Sequence, residues 1–264
     1  MNTHNDFYKL AEIYDIAFDF RDIKAECDFL ENVFQQVNGR KPKSVLELAA
    51  GPDRHMLEFS HRGLKEAAID LSPEMVEYGK QLSLQTGIYL RYECANMEKF
   101  TLGEKYDLAV ILMDSTAYLL DNEAVLNHLA SVADHLTEDG LYILEMTHPR
   151  DCFGIGRSTV AEWTSERKGI QVHIKWGKEN DFFDPIDQIT QVNVEIEIVS
   201  EDKSKKLVYC AKQRCFTANE MQALVKASGS FQWIETYGSL DIKVPFNNDE
   251  SAWRMVPVLK KFRN

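Results

Sequence analysis

The sequence predicts an α/β protein with a doubly wound, mostly parallel sheet of seven strands and an antiparallel β insertion. Between residues 44 and 146, short apolar segments alternate with segments of helical periodicity. That alternation is typical of a parallel sheet whose two faces are covered by helices. After Pro149, apolar and polar residues alternate instead, as in strands with one face in solvent. The 264 residues are expected to form a single domain.

The individual elements follow from local signals. Ser72 before Pro73 is a favourable helix start, and Thr217 with Glu220 forms a capping-box pattern that opens a helix ending near Gly229. Residues 1–40 are expected to form a helical lid, with two helices interrupted near residues 18–21. The predicted strands of the main sheet are 44–48, 66–70, 88–94, 106–112, 140–146, 231–237 and 253–259; further helices are predicted at 53–62, from Ser72, and at 122–136, and the inserted antiparallel strands at about 162–209.

Composition and charge exclude several classes of protein. The net charge of −12 argues against a nucleic-acid partner, which would require a basic surface. Five cysteines without a Cys-x-x-Cys pair indicate neither a disulfide framework nor a metal site, so no metal is expected. The apolar run at residues 108–113 is too short to cross a bilayer, and the first residues do not resemble a secretory signal. We therefore expect a cytoplasmic protein without a membrane partner.

A strand–turn–helix segment carries the strongest functional signal. Glu47-Leu48-Ala49-Ala50-Gly51 joins the first predicted strand to a helix, and small residues in such a turn let a ligand approach the backbone. Asp70 ends the second predicted strand, where an acid can accept hydrogen bonds from both hydroxyls of a ribose. Taken alone, the loop is also compatible with a simple tight turn, and Asp70 with a helix cap. Together they predict a nucleotide site at the carboxyl edge of the sheet.

These segments resemble class I S-adenosylmethionine-dependent methyltransferases. Residues 47–51 resemble the family's acidic-x-Gly/Ala-x-Gly motif, and residues 70–75, 95–97, 106–108 and 252–261 resemble four later segments in the same order. Two positions depart from the pattern, because Asp53 replaces a glycine and Asn96 an acid; Asp53 is expected to cap the following helix. The resemblance implies S-adenosyl-L-methionine as cofactor, bound by Glu47, Ala49, Gly51, Asp70, Leu71, Met75, Asn96, Met97 and Met113.

The acceptor side of the site is less well defined by the sequence. Within the family the chain is most similar to small-molecule enzymes with a β insertion, which implies a small nitrogen or oxygen acceptor. Tyr14 on the expected lid and His148 after the fifth strand are the candidate catalytic residues. Packing residues are an equally good interpretation of both. A nicotinamide-dependent dehydrogenase and a non-catalytic nucleotide-binding module are the alternative functions, and a homo-oligomer stays open.

Overall fold

Apolar strands from the first half of the chain form the centre of the fold. The structure, a computed structural model, describes residues 7–153, 160–201 and 203–262. In these residues the helices are α1 Ala11–Ala17, α2 Ile23–Asn38, α3 Arg54–His61, α4 Pro73–Gln85, α5 Asn122–Asp134, α6 Pro149–Phe153 and α7 Ala218–Ser228. The strands are β1 Ser44–Leu48, β2 Lys65–Asp70, β3 Tyr92–Cys94, β4 Tyr106–Ile111, β5 Leu136–Leu144, β6 Met146–Thr147, β7 Ala161–Arg167, β8 Ile170–Trp176, β9 Phe183–Asp184, β10 Ile189–Ser200, β11 Lys203–Arg214, β12 Phe231–Tyr237 and β13 Arg254–Lys261.

The main sheet has the strand order β12-β13-β5-β4-β1-β2-β3, with β6 added beside β13. Strands β1 to β5 are parallel, whereas β13 is antiparallel to both of its neighbours. In the central register, Leu46 lies between Ala67 and Ala109, and all three are buried. Strands buried on both faces are apolar throughout, which explains the continuous hydrophobic segments of the sequence. The predicted mostly parallel sheet is confirmed.

Helices cover both faces of this sheet. Residues of α5 and α7, such as Leu129 and Met221, pack in one hydrophobic core, and residues of α2 and α3, such as Phe34 and Met56, pack in another. Strands β1 and β4 contribute alternate side chains to the two cores, as their period of two requires. The doubly wound arrangement leaves the carboxyl ends of β1, β2 and β4 at one edge, where open α/β sheets bind ligands.

The predicted helix starts agree with the structure at two positions and fail at a third. Ser72 accepts a hydrogen bond from the backbone of Met75, and Thr217 with Glu220 forms both bonds of a capping box. Asp53 precedes α3, but its side chain makes no capping bond to that helix in the described residues. The expectation that Asp53 caps α3 is therefore wrong: its backbone is left-handed, with φ at 66°, whereas a capping residue is normally extended.

The inserted segment forms a second, antiparallel sheet of order β11-β10-β8-β7, with β9 beside β10. It extends to Arg214, beyond the predicted end at 209, because β10 and β11 pair over twelve positions each. Its inner face packs against the N-terminal segment: Phe7 and Ile16 share a hydrophobic core with Val194. The antiparallel insertion is confirmed. The lid function of residues 1–40 stays a prediction, and residues 1–6 of that segment lie outside the described residues.

Some boundaries differ from the prediction. β3 covers only Tyr92–Cys94, because residues 88–91 approach the sheet without joining its ladder beyond one backbone bond from Ala68 to Arg91. β5 starts at Leu136, where the helix was predicted to end, and stops at Leu144. Glu145 follows it with a side chain occupied by buried ion pairs, and the short β6 comes next. The carboxyl end of β5 is therefore shaped by charge pairing as well as by strand pairing.

Candidate functional site

A cleft opens at the carboxyl ends of β1 and β4. The empty space between its walls is about 650 Å³ when the open solvent at its mouth is included. The loop after β1, the start of α3, the loop after β4 and the segment around α1 form its walls. The lining residues are Tyr14, Asp15, Phe18, Asp19, Arg21, Ile23, Glu47, Ala49, Ala50, Gly51, Pro52, Arg54, His55, Leu112, Met113 and Ser115.

The loop after β1 has the backbone conformation needed for close approach of a ligand. Ala49 and Gly51 both have positive φ, at 52° and 57°. A Cβ atom on Gly51 would lie 3.6 Å from Cε1 of Tyr14, so a side chain there would enter the space between the loop and α1. Glycine keeps this gap open and allows the left-handed backbone without strain. Ala49, Gly51 and Tyr14 are thus brought together at the cleft.

Asp70 fastens this loop to the end of β2. One carboxylate oxygen accepts a hydrogen bond from the backbone N–H of Gly51 at 2.9 Å, and the other accepts from Ser72 at 2.8 Å. Burial raises the pKa of Asp70, and these two backbone bonds partly offset the rise. The next side chain, Leu71, is 70% exposed beside the same edge. A carboxylate with an exposed apolar neighbour fits a ribose with its attached base.

Glu47 is buried at the base of the cleft with only half of its carboxylate satisfied. Its Oε1 lies 3.1 Å from Nδ1 of His55, whereas its Oε2 is buried without a hydrogen-bond partner among the described residues. An unmet buried carboxylate oxygen is costly, and a cationic ligand group would satisfy it.

His55 is the start of a buried charge network of alternating sign. Its Nε2 lies 2.8 Å from Glu26, whose carboxylate pairs with Arg21. Arg21 in turn forms a two-pronged pair with Glu145, at 3.0 and 2.8 Å. Arg254 on β13 donates to the same Glu145 at 3.1 Å. We call Glu47, His55, Glu26, Arg21, Glu145 and Arg254 the buried charge network.

Mutual pairing fixes the charge states of this network. Burial alone would raise the pKa of Glu145, but the charges of Arg21 and Arg254 outweigh it and lower the pKa to about 2. Burial would likewise lower the pKa of His55, but the charge of Glu47 and hydrogen bonds with Glu26 and Glu47 raise it to about 9. His55 is therefore an imidazolium at neutral pH. Sequence reasoning missed this role, although the position of His55 eight residues after Glu47 is visible in the sequence.

The four other residues predicted to bind the cofactor differ in how deeply they are buried. Met113, in the loop after β4, lines the cleft and donates its backbone N–H to Glu145. Met75 is fully buried at the start of α4. Asn96 is exposed, with its Oδ1 accepting from the backbone of Glu98, and Met97 packs half-buried beside the α5 core. Their contact with a cofactor stays a prediction.

Asp53 is a carboxyl group enclosed without partners. It is fully buried, and neither of its oxygens has a hydrogen-bond partner in the described part of the chain. Burial raises its pKa well above the usual range, and the nearby charges of Glu47, Glu66 and Asp70 add to that rise. Burial and these charges favour the neutral form of the Asp53 carboxyl, and the loop retains a buried polar group where the family motif has a glycine.

The two predicted catalytic residues have different surroundings. The hydroxyl of Tyr14 makes one long contact, 3.9 Å to the sulfur of Met113, and its ring lines the cleft. His148 is buried against Phe246, where its Nε2 donates to the carbonyl of Asn247 and its Nδ1 accepts from the backbone of Arg150. Both ring nitrogens of His148 are thus engaged with backbone. Burial also lowers its pKa.

Tyrosine side chains gather between α1 and the inserted sheet. Tyr14 packs against Tyr8, whose hydroxyl is 2.6 Å from that of Tyr118. Phe7 contacts the ring of Tyr14 and also stacks with the ring of Tyr209 on β11. The hydroxyl of Tyr209 is buried and has no hydrogen-bond partner within residues 7–153, 160–201 and 203–262. We call Tyr8, Tyr14, Tyr118 and Tyr209 the tyrosine cluster. It places hydroxyl groups in an apolar setting beside the cleft.

A larger surface depression lies at the opposite edge of the sheet, near the amino ends of β1 and β2. It is wide and polar, and Arg62 on its wall is already paired with Asp28, Glu31 and Glu58. We therefore place the candidate site in the cleft at the carboxyl edge, where unmet polar atoms and the open loop coincide.

Comparison with known proteins agrees with this geometry. Residues 45–140 match the family model described as a methyltransferase domain. Over 139 residues the chain is 27% identical to dTDP-3-amino-3,4,6-trideoxy-alpha-D-glucopyranose N,N-dimethyltransferase of Streptomyces venezuelae, a stretch that covers 51% of this chain. The chain spans about half of that relative's length, 56%.

Solved structures share the whole architecture. An S-adenosylmethionine-dependent methyltransferase from Clostridium acetobutylicum superimposes with a TM-score of 0.78 at 18% identity, covering 97% of this chain and 99% of the other. Streptomyces venezuelae DesVI superimposes with a TM-score of 0.77 at 19% identity, covering 97% and 98%. The fold is that of class I methyltransferases. The resemblance to the S-adenosylmethionine-dependent members of that family is confirmed.

The dehydrogenase alternative is not favoured. The antiparallel β13 lies between β5 and β12, whereas the dinucleotide-binding sheet is mostly parallel with the usual order 3-2-1-4-5-6. In the described ranges there is no cluster of metal-ligating side chains. Across the same part of the chain, every helix is too short or too polar to traverse a lipid bilayer.

Proposed function

We propose that this chain binds S-adenosyl-L-methionine in the cleft and transfers a methyl group to a nitrogen or oxygen atom of a small molecule. The observation that carries the proposal is the unmet Oε2 of Glu47, buried at the carboxyl edge beside the open loop. An α-ammonium group would satisfy that oxygen. When bound, the cofactor supplies an electrophilic methyl carbon on a sulfonium.

The remaining cofactor contacts are assigned by position. Asp70 holds the ribose hydroxyls, and the exposed Leu71 covers one face of the base. Asn96 and Met97 border the base, since the loop that carries them follows β3, the neighbour of β2. Met75 packs beneath this edge, and Met113 and Ala49 line the methionine end of the cleft.

The acceptor is proposed to lie against the tyrosine cluster. Tyr14 borders both the cleft and the cluster, so its hydroxyl is placed to orient an amine or hydroxyl. Burial raises the pKa of Tyr14, which therefore acts as a neutral hydroxyl and not as a base at neutral pH. His148 is not among the residues that line the cleft, and its use as a base would require the release of the Arg150 N–H from Nδ1.

The protein's share of the chemistry is orientation and exclusion of water. Holding two reactants in line accounts for about 7–11 kcal/mol of barrier lowering in favourable cases. The apolar surroundings of the tyrosine cluster support that role, since Phe7, Ile16 and Val194 belong to the hydrophobic core against which these tyrosines pack. The relative from Streptomyces venezuelae is named for an amino sugar, which supports an amine on a small molecule as the first acceptor class to examine.

Calorimetric titration with S-adenosylmethionine and with S-adenosylhomocysteine tests the proposal, with NAD as the comparison ligand. We expect saturable binding of both adenosyl ligands and none of NAD. The absence of heat and of thermal shift at millimolar S-adenosylmethionine would reject the function. A mass-spectrometric screen of amines and alcohols, including dTDP-amino sugars, then identifies the acceptor.

A further inference from the structure

The half-satisfied carboxylate of Glu47 raises the question of what keeps its second oxygen unpaired. Two arginines lie in the cleft wall with it, but both are engaged elsewhere. Arg21 is bound to Glu26 and Glu145, and Arg54 to Asp15. His55 is the cation in contact with Glu47, and it reaches Oε1 only. The cleft therefore contains a buried acceptor for positive charge that the described residues do not fill.

His55 is itself held from the opposite side. Its ring spans from Glu47 on β1 to Glu26 on α2, with 3.1 Å at Nδ1 and 2.8 Å at Nε2. Two carboxylates at the two ring nitrogens require both nitrogens to donate. Each contact fixes the ring for the other, since a histidine bonded at both nitrogens cannot rotate without losing both bonds.

We propose that His55, oriented by Glu26, is a positioning residue that holds Glu47 by Oε1 and reserves Oε2 for the α-ammonium of the bound cofactor. The inference rests on the proposed function. It goes further because it assigns the affinity for the amino-acid end of the cofactor to a residue on α3, and it predicts that this end alone depends on His55.

The experiment compares two ligands that differ at that end. S-adenosylhomocysteine carries the α-ammonium, and 5′-methylthioadenosine has the same adenosine without the amino-acid portion. The dissociation constants of both are measured by calorimetry for the wild type, His55→Gln and Glu47→Gln. A glutamine at 55 has its two N–H donors on one nitrogen, so it cannot donate from opposite sides to two carboxylates as the imidazole ring does. We expect S-adenosylhomocysteine to bind at least about tenfold more weakly to both variants, with methylthioadenosine binding changed by less than about twofold.

His135→Gln is the matched control, because His135 is also buried but bonds only to backbone groups on the α5 side of the sheet. It should leave both affinities unchanged. Equal losses of both ligands in His55→Gln would mean a general loss of the loop and would overturn the inference, as would unchanged S-adenosylhomocysteine binding. If His55→Gln fails to fold, the same pattern is required of Glu26→Gln. Wild-type protein that binds neither ligand overturns the proposed function itself.

Discussion

Arg167 on β7 donates a hydrogen bond to Asp15 on α1, across 152 positions of the chain. Asp15 also accepts from Arg54 and Tyr78, so one buried carboxylate joins α1 to α3, α4 and the inserted sheet. Burial would raise the pKa of Asp15, but the hydrogen bonds from Arg54 and Arg167 outweigh it and lower the pKa. Asp15 therefore adds polar anchors from three directions to the apolar packing that holds α1 over the cleft.

Asp15→Asn is expected to loosen α1. Removing one partner of a buried ion pair costs about 3–5 kcal/mol, and we expect about 2–3 kcal/mol here because the arginines keep partial contact with water. Because the pKa of Asp15 is depressed, its contribution is present above the unfolded value and is lost as the pH falls through the folded one. Urea unfolding should show the gap between wild type and variant narrowing in acid, and hydrogen exchange of residues 11–17 should quicken.

The control for that experiment is Asp19→Asn, at an exposed position that also contacts Arg167. An exposed pair contributes about 0–1 kcal/mol, so this variant should unfold almost as the wild type does. Equal losses in the two variants would show that the anchoring role of Asp15 is wrong.

Asp53→Asn is expected to gain stability relative to the wild type as the pH rises. The folded pKa of Asp53 is raised above the unfolded value, so its contribution is most favourable in acid and declines as the pH rises through the folded pKa. Asparagine cannot ionise and tolerates the left-handed backbone. The relative gain should grow between pH 4 and pH 8. A pH-independent difference between the two proteins, measured by chemical unfolding, would argue against the buried neutral carboxyl.

The contribution of His55 to the free energy of unfolding should fall as the pH rises, whereas that of Asp15, whose pKa is lowered, falls as the pH drops. The folded pKa of His55, about 9, lies above the usual value of 6.5, so its contribution is full below 6.5 and is lost as the pH rises through 9. A difference of this size corresponds to about 3 kcal/mol. The free energy of unfolding of the wild type minus that of His55→Gln should therefore shrink between pH 6.5 and 10. A flat difference for His55→Gln would contradict the imidazolium assignment.

Asp70→Ala should weaken cofactor binding and also lower stability. Two charge-assisted hydrogen bonds to ribose are individually worth about 1.5–3 kcal/mol, so S-adenosylhomocysteine should bind at least about tenfold more weakly. The structure adds a second effect, because the loss of Asp70 also leaves the N–H groups of Gly51 and Ser72 without their partner. Thermal unfolding separates the two effects. Normal affinity in a destabilised variant would mean that Asp70 is only structural.

Tyr209→Phe should impair use of the acceptor without changing the affinity for the cofactor. The substitution deletes only the unpaired buried hydroxyl, so stability should be unchanged or slightly higher. With an acceptor in hand, we expect kcat/KM to fall by about tenfold or more, with the S-adenosylhomocysteine affinity unchanged. Full activity in Tyr209→Phe would contradict a role of this hydroxyl, and so of the inserted sheet, in positioning the acceptor. Tyr118→Phe, which breaks the pair with Tyr8, serves as the comparison at a hydroxyl that is already bonded.

The parallel sheet was predictable because its strands are buried on both faces and are therefore continuously apolar. Residues 44–48 and 231–237 match β1 and β12 as predicted, and the antiparallel insertion follows from its period of two. β6 and β9 have two residues each, too few for any periodic pattern. The helix predicted at 122–136 is α5, which ends two residues earlier, at Asp134. Leu136 is apolar and suits either a helix or a strand position opposite Tyr106.

The cofactor loop was predictable because its chemistry is local, whereas the charge network was not. Glu47, Gly51 and Asp70 lie within 24 positions and follow strands directly. Arg21 and Glu145 are 124 positions apart, and no local pattern relates them. For the same reason Tyr209 was missed, since its contact with the N-terminal segment depends on how the inserted sheet folds back over α1. Asp53 was assigned to a cap from its residue type, and only its positive φ excludes that geometry.

The alternation of sign along the buried charge network limits how this sequence can diverge. Loss of one member leaves an uncompensated charge in the interior, whereas loss of two adjacent members of opposite sign preserves neutrality. In descendants of this chain, Glu26 with His55, or Arg21 with Glu145, should accordingly be replaced together, and single replacements should be rare. Substitutions at these positions should therefore occur in pairs and covary between residues that are far apart in the chain.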